Sequence, residues 1–101
     1  MPELPEHPLT PIFADVVQQV MYGKGERHGG ATVPFLEQSW LAVAKNHGVG
    51  FLTGQAQKKM TEAMASGHIV SDYAAWEREM LGAMAYMGMS IIYARLGQHL
   101  D

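Results

Sequence analysis

The sequence predicts an all-α fold: a four-helix bundle-like single domain that associates through its C-terminal helix. Three observations carry this. Apolar positions recur every three or four residues in four segments, helix-capping residues separate the segments, and no stretch alternates as a strand does. The length agrees, since 101 residues leave room for one core and no second domain.

Four of the five prolines fall in the first eleven residues, so residues 1–9 form an extended, proline-rich arm. Thr10 followed by Pro11 has the pattern of an N-cap with proline at the first helical position. Ile12, Phe13, Val16, Val17, Val20 and Met21 then recur at helical spacing, which gives a first helix over about 11–22. The next eight positions, Gly23 to Gly30, hold four glycines, each costing a helix about 1 kcal/mol relative to alanine, and form a locally basic loop. Pro34 starts a second helix over about 34–47, with Leu36, Trp40, Val43, Ala44 and His47 on one face and Gly48 as its stop. A third helix, about 51–66, carries Leu52, Ala56, Met60, Ala63 and Met64 as its stripe and ends before Gly67. Ser71 or Asp72 caps a fourth over about 72–96, and Gly97 stops it.

The fourth helix is unusual because the fifteen positions from Met80 to Ala94 contain no charge. That run is shorter than the roughly 18 to 20 residues a bilayer span needs, and Glu77, Arg78 and Glu79 precede it directly, so no membrane partner is expected. All-round apolarity instead demands neighbours on several sides, which two short companion helices supply only in part. A homodimer or higher oligomer follows. Gly82, Ala85 and Gly88, spaced three apart, either let a second helix approach closely or make room for Trp40 or Trp76 within one subunit.

Composition excludes several function classes. With no cysteine there is no disulfide, thiolate nucleophile or zinc–cysteine site. A net charge of −3 removes the basic footprint of a duplex DNA-binding module. The acidic, proline-rich start lacks the basic and apolar regions of a secretory signal, which sets the expectation of a cytoplasmic protein. Ser39, Ser66, Ser71 and Ser90 have no nucleophile motif around them. The methionines at 60, 64, 80, 84 and 87 have the spacing of adaptable core packing.

The residues that could carry chemistry are few. Lys24, Arg27 and His28 in the glycine-rich loop could present cations and backbone donors to a phosphate, although the loop lacks Walker spacing and equally suits a polar connection. His47, at the last turn of the second helix, is a further candidate for ligand or catalytic work, against a purely structural role beside the helix dipole. Glu62 and Glu79 stand on the third and fourth helices. Glu77 and Glu79 are two apart and point to different sides, so the fourth helix alone offers no two-carboxylate grip.

The run Tyr22-Gly23-Lys24-Gly25-Glu26-Arg27-His28-Gly29, followed by a tryptophan-bearing helix ending Lys45-Asn46-His47, resembles phage-type dATP/dGTP diphosphohydrolases. The run Glu79-Met80-Leu81-Gly82-Ala83-Met84-Ala85-Tyr86 is similar to the last metal-bearing helix of MazG-like nucleotide pyrophosphohydrolases. The resemblance implies an all-helical oligomer that uses Mg2+ to convert a nucleoside triphosphate to monophosphate and pyrophosphate. Lys24 and His28 would then contact phosphate, and Glu62 and Glu79 would be the acidic metal ligands. The predicted helices contain no ExxE pair of the MazG-like kind, which keeps a second function open: a non-catalytic helical oligomer with a binding or accessory role.

Overall fold

The computed structural model describes residues 6–22, 32–65 and 72–98, and these contain four α-helices and no strand. They are α1 (Thr10–Tyr22), α2 (Ser39–His47), α3 (Gly50–Ala65) and α4 (Tyr73–Arg95), with a single 3₁₀ turn at Phe35–Glu37 before α2. No helix among the described residues is long and apolar enough to cross a membrane.

The start of α1 lies one residue earlier than the Thr10 cap implies. The Leu9 carbonyl accepts from the Phe13 N–H at 3.1 Å, so Leu9 holds the cap position, and His7 supplies the side-chain acceptor through Nδ1, 3.0 Å from the Leu9 N–H. The second helix is also shorter than 34–47. The Phe35 carbonyl accepts the Trp40 indole Nε1–H at 2.8 Å and the Gln38 N–H at 3.3 Å. Gln38 is extended at φ −75°, ψ 160°, and its buried side chain donates from Nε2 to the Val33 carbonyl at 3.0 Å. These bonds hold residues 33–38 as a folded strap, and α helix begins only at Ser39. Leu36 is therefore off the helical stripe and 49% exposed, while Trp40 and Ala44 are buried.

Two glycines end helices where only a residue without Cβ is comfortable. Gly48 takes φ 85° between α2 and α3, and Gly97 takes φ 79° after α4. At the second, the Gln98 N–H reaches the Tyr93 carbonyl and the Gly97 N–H the Ala94 carbonyl, which is a Schellman closure. At the other end of α4, Asp72 is the cap: its Oδ1 accepts the Ala75 N–H at 3.1 Å.

α4 is the central element and packs on α3 and on α1, while α2 packs on α3. The main core gathers Trp40, Leu41, Ala44, Leu52, Met89 and Tyr93, with Phe35, Val49, Phe51, Tyr86 and Ile92 packed around it. Phe35 and Trp40 meet at 5.1 Å between ring centroids, which ties the strap to this core. Elsewhere the buried positions of α3 and α4 are small: Ala56, Ala63, Gly82 and Ala83. Met64, placed in the α3 stripe by spacing, is 73% exposed, and Met87 on α4 is 48% exposed. α1 buries none of its thirteen residues.

Candidate functional site

Two places on the described chain combine chemistry with shape. The first lies where α1, α3 and α4 meet. Lys59 of α3 runs its aliphatic stem across the face of Gly82 of α4, and a Cβ added to Gly82 would stand 3.3 Å from Lys59 Cδ and 3.5 Å from Gln19 Nε2. The Lys59 ammonium stands 3.5 Å from Glu79 Oε2, and both side chains are about four-fifths buried. At that distance the charges attract, yet Glu79 Oε2 is buried and accepts no hydrogen bond. Gln19 of α1 donates from Nε2 to the Arg78 carbonyl at 3.1 Å, which fastens α1 to α4 beside the pair. Of the small residues on α4, Gly82 has Lys59 and Gln19 as its nearest neighbours within the subunit.

Glu62 has a different setting. It pairs with Lys58 one turn away at 3.9 Å, with the two side chains 43% and 65% exposed. Glu62 and Glu79 therefore each face a lysine. A magnesium ion asks for an octahedron of oxygens at about 2.0 to 2.1 Å. Glu79 offers one carboxylate already opposed by an ammonium, and among the described residues no group of three or more His, Asp or Glu stands together to hold a metal. Among the described residues, Glu62 and Glu79 do not by themselves complete such a shell. His47 is the last residue of α2 and is exposed, where the carbonyl end of the helix suits a cation. Lys24, Arg27 and His28 lie outside the described residues.

The Tyr73 hydroxyl donates to Glu77 Oε1 at 3.1 Å, and this hydrogen bond, reinforced by the carboxylate's charge, raises the phenol above its ordinary 10.0.

The second place is a cleft of about 580 Å³ between α1, α4 and the strap. Phe13, Val16, Val17, Val20 and Met21 form one wall, Val33, Pro34 and Phe35 close one side, and Met84, Ala85, Gly88, Met89 and Ile92 form the other wall and floor. None of these side chains is charged, and the weakly accepting thioethers of Met21, Met84 and Met89 are their only polar groups. Above Gly88 the space is open, with nothing within 4 Å of an added Cβ. The cleft joins residues that the sequence assigns to separate helix stripes. Its one sequence signal is that α1 and the uncharged run of α4 both carry more apolar surface than their neighbours can cover. The volume lies in the range of small-molecule pockets, but a pocket with no polar groups beyond these thioethers cannot fix the orientation of a polar ligand.

No family model, curated protein or solved structure matches the chain.

Proposed function

We propose that the chain is a helical binding subunit, an accessory protein that acts by self-association and not as a free-standing catalyst. The observation that supports this most is the apolar cleft between α1 and α4. Apolar surface is drawn from water at about 25 cal/mol per Å², without directional preference, so a wall of half-exposed apolar side chains favours association with another apolar surface. Catalysis would need convergent polar groups, whereas Glu62 and Glu79 are each paired with a lysine. Multi-angle light scattering at micromolar concentration tests the proposal. The expected result is a mass at a whole multiple of 11.1 kDa, and a monomer across the range would overturn it.

A second reading, nucleotide binding with pyrophosphohydrolase activity, draws on one feature of connectivity. The segment 23–31, with Lys24, Arg27 and His28, leaves α1 after Tyr22 and returns at Thr32, and both Met21 and Val33 line the cleft. The base of a nucleotide would lie against the apolar wall, and hydrolysis would call on Mg2+ to activate water. Pyrophosphate release from a panel of dNTPs with Mg2+ would select this reading. Absence of release together with absence of heat on titrating dATP or dGTP would remove it.

A further inference from the structure

We infer that α1 is a movable wall of the cleft, pivoting at Gln19 so that its N-terminal half swings toward and away from α4. The inference concerns motion within one subunit and does not use the association proposed above.

The walls of the cleft are anchored unequally. On the α4 side, Met89 is buried in the main core and Ile92 packs against that core. The strap is held as firmly. The Phe35 carbonyl accepts the Trp40 indole N–H at 2.8 Å, their rings meet at 5.1 Å, and Gln38 Nε2 donates to the Val33 carbonyl at 3.0 Å. α1 lacks such anchorage: none of its thirteen residues is buried and none belongs to the main core. Phe13 and Val17 are 51% and 55% exposed although both line the cleft. Local stability follows buried apolar contact, so α1 moves before its neighbours do.

The fastening of α1 is off-centre. Gln19 Nε2 donates to the Arg78 carbonyl at 3.1 Å and lies 3.5 Å from where a Cβ on Gly82 would stand, so α1 meets α4 here at a notch without a side chain. Six residues further along α4, about 9 Å at 1.5 Å per residue, Gly88 lines the cleft with nothing within 4 Å of an added Cβ. The gap is closed at Gly82 and open at Gly88, which makes the cleft a wedge. Thr10 to Gln18 lie on one side of the fastening and only Val20 to Tyr22 on the other, so the long arm of α1 is the N-terminal one.

A swing about this point costs little. The helix keeps its internal backbone bonds as it tilts, and apolar contacts carry no directional preference that would fix one angle. A tilt of about 20° about Gln19 carries Ala14, five residues away, by roughly 2.5 Å and Gln18 by about 0.5 Å.

The test uses the absence of native cysteine. Nitroxide labels are placed on Ala14→Cys or Gln18→Cys of α1, each paired with Thr61→Cys of α3. The fixed reference pairs Thr61→Cys with Ile91→Cys of α4, the helix on which α3 packs, and all four positions are exposed. Distances are read by pulsed electron spin resonance with unlabelled protein in excess, so that only those within one subunit contribute. The Ala14 distribution should be about twice as wide as the reference, and that of Gln18 should match the reference. Gln19→Ala should then widen the Gln18 distribution to that of Ala14, because the pivot is gone. If Gln19→Ala loses helicity by circular dichroism, the comparison of Ala14 with Gln18 decides alone. An Ala14 distribution as narrow as the reference would overturn the inference. Equal widening at Ala14 and Gln18 with Gln19 intact would overturn it as well, since local unfolding and not a swing produces that result. A Gln18 distribution that stays narrow in folded Gln19→Ala would overturn Gln19 as the pivot.

Discussion

Gly82 and Gly88 lie six residues apart on α4, one closed over by side chains and the other facing open space, and substituting each separates the two settings. At Gly82 a Cβ meets Lys59 Cδ at 3.3 Å, closer than most real contacts but against the flexible middle of a side chain. Gly82→Ala therefore sets a gain of about 1 kcal/mol in helix propensity against a small displacement of Lys59, and the net change should lie near zero. Gly82→Leu adds atoms where Lys59 and Gln19 already sit. It must push the ammonium off Glu79 and break the 3.1 Å bond from Gln19 to the Arg78 carbonyl. Overpacking costs about 1 to 3 kcal/mol and the disturbed polar contacts about 1 to 2 more, so after the propensity gain a loss of about 1 to 4 kcal/mol remains. For a domain of this size that lowers Tm by about 4 to 30 °C. Gly88 faces open space, so Gly88→Ala should raise monomer stability by about 0.5 to 1 kcal/mol. Thermal melts followed by circular dichroism, with light scattering at each concentration, read both effects. A Gly82→Leu protein melting within a few degrees of wild type would refute the packing described around Lys59.

Three further outcomes follow from single contacts. Asp72→Ala removes the acceptor for the Ala75 N–H and should cost about 1 kcal/mol in a urea melt, and an unchanged midpoint would show that the cap contributes nothing. A double-mutant cycle on Lys59→Met and Glu79→Gln should give a coupling above about 0.5 kcal/mol that persists in salt, whereas the exposed Lys58–Glu62 pair should couple by at most about 0.5 kcal/mol and lose that in salt; equal coupling for both pairs would contradict their burial. Tyr73 is raised by its hydrogen bond to Glu77, so the stability it contributes is present below the unfolded value of 10.0 and lost as pH rises through the folded one. Phenolate absorbance should show Glu77→Gln lowering that titration toward 10.0, and an unmoved curve would refute the contact.

Local chemistry made the helix ends and the helical class legible, and distant contacts decided what was not. Gly48 and Gly97 stop helices because a left-handed residue is needed there, and Asp72 caps α4 because its carboxylate reaches the third N–H, both properties of a few consecutive residues. The break at Gln38 depends on the Trp40 indole taking the Phe35 carbonyl, a competition invisible to periodicity. Pro34 and the apolar spacing therefore suggest a longer helix than forms. Lys59 is a flank residue by pattern, but its stem is apolar for four carbons, so burial against a glycine on another helix keeps its charge beside a carboxylate. Whether Glu62 and Glu79 share a face depends on how α3 and α4 turn, which spacing alone does not encode, and each meets a lysine of α3.

The uneven use of small and large residues explains why an apolar chain leaves so much apolar surface outside. Where α3 meets α4 the buried positions are Ala56, Ala63, Gly82 and Ala83, which draw the helices close but remove little area from water per residue. The large side chains that could build a deeper core are gathered at one end, around Trp40, Leu52, Met89 and Tyr93. α1 is left to contact the far face of α4 with no residue buried, fixed by its Gln19 bond and by partial contacts. In a lone subunit α1 should therefore be the first helix to open, since local stability follows buried apolar contact. An association that covers Phe13 and Val17 would stabilise this helix more than any other. Amide exchange in α1 should then slow as protein concentration rises while exchange at Leu52 and Tyr93 stays constant, and concentration-independent exchange in α1 would mean that no partner copy covers it.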